Sequence, residues 1–130
     1  MTGAFSMSTF SLDRLLGGIT PEVFLAEYWQ KKPLLVRQAL PGFGAWLDRD
    51  SLSELAMRDD AESRLVRSTR GQCLLDHGPF EAEDLAGLPK KNWSLLVSGV
   101  NHFLPDGDAL LHAFDFIPLA RLDDLMVSFA

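Results

Sequence analysis

Two strand-like runs, Ser63 to Ser68 and Gln72 to Asp76, stand only Thr69-Arg70-Gly71 apart, and this spacing constrains the chain more than any other feature of its sequence. So short a gap folds the runs back on each other as an antiparallel β-hairpin, because a parallel pair needs a crossover of a dozen or more residues. An isolated hairpin is marginal in water, so flanking segments must supply further strands or a helix to cover one face.

The flanks supply both. Thr20 before Pro21 reads as a helix start, with a hydroxyl to cap free N–H groups and a proline where no donor is needed. Val23, Phe24, Leu25 and Tyr28 follow as an apolar stripe, ending near Lys31 and Lys32, whose charges suit a helix C-terminus, and Pro33 stops the helix. Leu34 to Arg37 reads as a short strand before the turn-rich Pro41-Gly42-Phe43-Gly44. Ser51 with Glu54 has capping-box spacing, so a second helix is predicted over Ser51 to Arg58. Glu81 to Leu85 reads as a helical turn, and Asn92 to Val100 as a strand buried on both faces, with Trp93 as its anchor. Asp106 to Phe114 reads as a helix closed before Ile117-Pro118, and Asp124 to Phe129 as a strand with Leu125, Val127 and Phe129 on one face. The leader, residues 1–19, is polar and breaker-rich, and is expected to be poorly ordered to about Ser11, with one domain over 20–130.

Composition narrows the function classes. A chain of 130 residues with 47% hydrophobic content can bury a modest core. Twelve basic against eighteen acidic residues give a net charge of −6, which disfavours direct nucleic-acid binding and would favour a basic protein partner, or serve solubility alone. The single cysteine, Cys73, excludes an internal disulfide and reads as a small buried residue in a reducing, cytoplasmic protein. No run approaches the roughly 18 consecutive apolar residues of a membrane span.

Catalytic motifs are absent. A non-haem iron centre takes two histidines and a carboxylate on one side of the metal, usually with a His and an acid two residues apart on one strand. His77 leads into Gly78-Pro79, His102 into Phe103-Leu104, and His112 into Ala113-Phe114, so none fits, and each takes a structural or surface role first. No HEXXH, CxxC, P-loop, GxSxG or GxGxxG pattern occurs.

A wider pattern remains. Phe24-Leu25-Ala26-Glu27-Tyr28-Trp29-Gln30-Lys31-Lys32-Pro33-Leu34-Leu35-Val36-Arg37 resembles the opening of the bacterial cupin-type (JmjC-related) ribosomal protein arginine hydroxylases. The likeness continues, in the family's order, through Glu62-Ser63-Arg64-Leu65-Val66, His77-Gly78-Pro79-Phe80, Asn92-Trp93-Ser94-Leu95-Leu96-Val97, Val100-Asn101-His102 and Arg121 to Phe129. It implies an α+β fold: N-terminal helices and mostly antiparallel strands of a cupin, or double-stranded β-helix, truncated before the metal-binding strands. It implies an Fe(II)- and 2-oxoglutarate-dependent oxygenase acting on an arginine of a large-subunit ribosomal protein. The family's HxD pair, distal histidine and basic cosubstrate anchor have no counterpart here, so the chain alone is expected to bind neither cofactor and to be inactive.

Four residues are the substrate-pocket candidates. Asp123 and Asp124, at a strand entry, serve either backbone donors and Arg121 or a substrate guanidinium. Met126 and Ser128 share the strand face opposite Leu125 and Val127, which the resemblance turns toward a barrel interior. A strand there without its barrel partners would pair with another copy, so a homo-oligomer is expected. The rival readings are an acidic binding or scaffold module without catalysis and a small hydrolase whose site no motif reveals.

Overall fold

The computed structural model describes residues 12–43 and 46–130; the start through Ser11, expected to be poorly ordered, lies outside them. The chain forms two compact units, Met1–Trp46 with Ala109–Asp123, and Leu47–Asp108 with Asp124–Ala130. No linker marks the division in the sequence, because the chain leaves the first unit at Trp46 and returns to it at Ala109.

In the first unit α1 (Leu12–Leu15) ends at Gly17, whose left-handed φ of 67° carries the turn and whose N–H donates to the Arg14 carbonyl at 3.2 Å. Val36 packs on this glycine: a Cβ added there would lie 3.2 Å from Val36 Cγ2. The next helix starts as its sequence requires, with Thr20 Oγ1 accepting from the Val23 N–H at 3.2 Å and proline in the first turn. It is short, however. One turn, α2 (Pro21–Val23), widens into a π-helical stretch, Phe24–Tyr28, where the Trp29 N–H reaches back five residues to the Phe24 carbonyl at 2.9 Å. Gln30 then turns left-handed at φ 60°, and Lys31 Nζ donates to the Ala26 carbonyl, a cation at the helix C-terminus. Phe24 stacks on Tyr28 and meets Phe116 edge-on at 5.8 Å, so the aromatic helix end packs within its own unit. Leu34 to Arg37 is not a strand: it pairs with none, and Leu35 is 78% exposed. An apolar run becomes a strand only beside another, and among the described residues none pairs with this one.

The second unit is built on the hairpin. α3 (Arg49–Ala56) is capped by Asp48, which accepts from the Ser51 N–H at 2.8 Å, so the helix begins earlier than the Ser51–Glu54 spacing predicts. Leu52, Leu55 and Ala56 are its buried side. β1 (Ser63–Thr69) and β2 (Gln72–His77) pair antiparallel across Arg70-Gly71, both left-handed (φ 51° and 76°), the two-residue turn whose twist suits a hairpin. α4 (Ala82–Ala86) supplies the expected helical turn, closed by a capping box between Glu81 and Asp84. β3 (Trp93–Val97) pairs with β1, and β4 (Val127–Phe129) with β3, giving the antiparallel order β2-β1-β3-β4. α5 (Pro105–His112) follows a 3₁₀ turn at Val100–His102.

One face of this sheet is the core. Leu65, Trp93, Leu95 and Val97 are buried with Leu52, Leu55 and Val100, each contributing about 1.5–3 kcal/mol from burial alone. β3 is therefore one-sided, alternating buried with half-buried residues, where the near-continuous apolar run predicts burial on both faces. Ser63, 2% exposed, is satisfied by donating to the Ala56 carbonyl at 3.2 Å. Cys73 is exposed on β2, against the expectation of a buried thiol; all six residues of that strand are exposed.

Candidate functional site

The other face of the sheet is where the chain can meet something else. Side chains alternate along a strand, and register carries the alternation across the sheet. His77 lies opposite Arg64, Arg64 opposite Leu96, and Leu96 opposite Ser128, so these four form one row on the uncovered face. Leu75, Val66 and Ser94 form the next row, and Met126 stands on the same side, two residues before Ser128. Leu75 is 54% and Met126 48% exposed, while Val66 and Leu96 are half-buried. The surface is apolar at its centre, with hydroxyls at Ser94 and Ser128 and a cation at Arg64. Arg64 NH2 points along it to Met126 Sδ at 3.4 Å.

β4 is held at its entry by side chain and backbone together. Asn101 Oδ1 accepts from the Leu125 N–H at 3.0 Å, and the Leu125 carbonyl accepts from the Val100 N–H at 2.9 Å. Asp124 sits beside left-handed Gly99, where an added Cβ would lie 3.2 Å from His102 Cδ2 and 3.8 Å from Asp124 Oδ2.

Met126 and Ser128 share the open face; Asp124 stands at the strand entry, and Asp123 belongs to the first unit. Among the described residues, ion pairs join Arg58 to Asp60 and Arg67 to Asp76, and neither uses Asp123, Asp124 or Arg121. The backbone donor at the strand entry goes to Asn101, which single-residue reading passed over. Arg64, Leu75 and Leu96 on the open face were also missed. The hairpin turn gives the alignment of β2 on β1, but only the pairing with β3 shows which side stays bare.

The Arg58 guanidinium grips Asp60 at 2.8 Å through two nitrogens, and that hydrogen bond holds the carboxyl below its ordinary value and raises the guanidinium. Arg58 also stacks 4.8 Å over the Phe103 ring. The Ser51 N–H lowers Asp48. These groups pin the ends of α3 and do no evident chemistry. No three His, Cys, Asp or Glu residues come together to hold a metal ion, among the described residues. No helix among them is long and apolar enough to cross a membrane.

The chain resembles known proteins over most of its length. No protein-family model matches it. The ribosomal protein uL16 3-hydroxylase of Escherichia coli K12 is 41% identical over 107 residues, covering 82% of this chain and 28% of that protein. A probable ribosomal oxygenase of Haemophilus influenzae is 39% identical over 113 residues, covering 86% and 28%. Among solved structures, YcfD, a ribosomal oxygenase from Escherichia coli, matches 86% of this chain and 31% of its own at a TM-score of 0.75 and 38% identity. YcfD in complex with cobalt and 2-oxoglutarate matches equally well, with a TM-score of 0.75. The chain therefore spans less than a third of the length of these relatives.

Proposed function

We propose that this chain, homologous to the N-terminal portion of the bacterial ribosomal oxygenases, is the helix-and-sheet part of an Fe(II)- and 2-oxoglutarate-dependent protein hydroxylase acting on an arginine of a large-subunit ribosomal protein. The observation that carries the proposal is the combined match: about 40% identity along four-fifths of the chain, on a backbone that follows the same fold. The α+β architecture with its antiparallel sheet agrees with the cupin-type fold of those enzymes. Residues 20–130 are read as part of that one domain and residues 1–19 as its leader, in a cytoplasmic protein.

The described residues do not fit an iron centre. His77, His102, His112 and Cys73 take part in no three-ligand group. Within that reading the chain contributes a half-apolar sheet face, on which Met126 and Ser128 line the β4 side and Arg64, on hairpin strand β1, reaches to Met126 Sδ. Asp124, exposed at the entry to β4, is the acid proposed for a substrate guanidinium, and Asp123 precedes it.

A chimera tests the reading. Residues 20–130 of this chain replace the matching portion of YcfD, and hydroxylation of ribosomal protein uL16 is followed by the one-oxygen mass increase, with succinate release in parallel. Restored turnover is expected. A folded, iron-loaded chimera that consumes no 2-oxoglutarate would overturn the assignment, as would succinate release by the 130-residue chain alone.

A further inference from the structure

Among the described residues, the outer edge of β2 is a six-residue strand edge with no strand paired to it. The Gly78 N–H donates to the Ser63 carbonyl at 2.9 Å, which fixes the phase of the ladder: Gln72, Leu74 and Asp76 turn their backbone groups toward β1, and Cys73, Leu75 and His77 turn theirs outward. Edges of this kind are normally blunted by a bulge, a proline, a lysine or shortness. β4, the opposite edge, is three residues long. β2 lacks the bulge, the proline and the lysine: its register with β1 is unbroken from Gln72 to His77, and its one acid, Asp76, turns to the core side and is paired with Arg67.

Beside this edge, on the core side of the sheet, lies a concavity of about 420 Å³. Its floor includes buried Leu65 and Phe80, and Leu88, Asp84 and the Arg67–Asp76 pair stand around it. Arg67 and Asp76 neutralise each other at 2.6 Å, which leaves the Asp84 carboxylate as the unbalanced charge on the wall. Arg67 Nε is buried there without a hydrogen-bond partner.

Charge decides what would lie along the edge. The second unit carries thirteen acidic against seven basic residues and so accounts for the whole net charge of −6. A second copy pairing edge to edge would bring two such units together; a basic segment would be drawn in.

We propose that the β2 edge and its adjoining concavity form a docking site for an extended basic polypeptide, which adds as a fifth strand and places a lysine or arginine side chain in the concavity. The main chain of the incoming segment exchanges hydrogen bonds with Cys73, Leu75 and His77. A residue opposite Asp76 points to the core side, its aliphatic stem over Leu65 and Phe80 and its charge toward Asp84. The site stands on sheet geometry and charge, and is independent of hydroxylation.

The test uses the full chain and a capped decapeptide of alternating valine and arginine, with affinity read by calorimetry and amide protection by hydrogen exchange. Binding is expected to slow exchange at Cys73, Leu75 and His77. The same peptide N-methylated at alternate residues keeps its charge but loses its donors, and should bind at least about tenfold more weakly, the loss of two or three main-chain hydrogen bonds. Asp84→Asn, which keeps the capping acceptor, should weaken binding about threefold to fivefold, as for an exposed ion pair. Equal affinity for the methylated peptide, protection elsewhere than β2, or no binding at all would each overturn the proposal. Sedimentation showing a dimer that buries this edge without peptide would also overturn it and assign the edge to a second copy.

Discussion

Two glycines show how far one atom can matter in the second unit. A Cβ at Gly78 would overlap Ser63 Oγ, a buried hydroxyl already committed to the Ala56 carbonyl. Gly71, left-handed at the hairpin turn, has open space around it. Gly78→Ala should therefore destabilise by about 2–3 kcal/mol through overpacking, and Gly71→Ala by about 1–2 kcal/mol through its backbone conformation alone. Chemical denaturation of the two variants checks that order. Asp48 and Asp60 belong to the same scale. Both carboxyls are lowered in the folded state, Asp48 by the Ser51 N–H and Asp60 by Arg58, so the stability they lend is complete above the unfolded carboxyl range. It is lost as pH falls through the lowered folded values, below about pH 4. Asp48→Asn with Asp60→Asn should flatten the acid side of a melting-temperature profile while leaving neutral pH less affected.

Elements in this chain differ in what they tolerate according to where their backbone groups point. The N–H of Leu74 serves the ladder to β1, while that of Leu75 faces the open edge. Leu74→Pro is expected to abolish the sheet, and Leu75→Pro to be accepted, since proline is tolerated where an edge strand's N–H faces solvent. Circular dichroism and thermal melts of the pair distinguish them. The hairpin was legible from Thr69-Arg70-Gly71-Gln72 because its turn chemistry is local. The strand expected at Leu34 to Arg37 was not, because strand formation needs a partner that local sequence does not name. The helix beginning at Pro21 had a readable start in Thr20, yet its π-helical end at Tyr28 goes with tertiary packing, where Phe24 stacks on Tyr28 and meets Phe116 edge-on.

At the scale of the whole molecule, the sheet of the second unit holds the most deeply buried strands among the described residues. β1 and β3 are the two strands with a neighbour on each side, and Leu65, Leu95 and Val97 along them are at most 3% exposed. Pro21–Val23 and Phe24–Tyr28 contain no buried residue. Hydrogen exchange should be slowest in β1 and β3 and fast over Pro21–Tyr28. Leu95→Ala should cost about 2–5 kcal/mol and hasten exchange throughout the second unit.

The residues alone determined that a hairpin forms between Ser63 and His77, that helices begin near Pro21 and Pro105, and that the chain resembles an oxygenase family. These follow from turn chemistry, capping and ordered blocks of sequence, all of which are short-range. Tertiary structure decided which face of the sheet α3 covers and, among the described residues, that Cys73 lies exposed on an outer strand. The physical reason is pairing: a strand's two faces and two edges become different only when α3 covers one face and β3 takes one edge of β1, and those partners lie far along the chain.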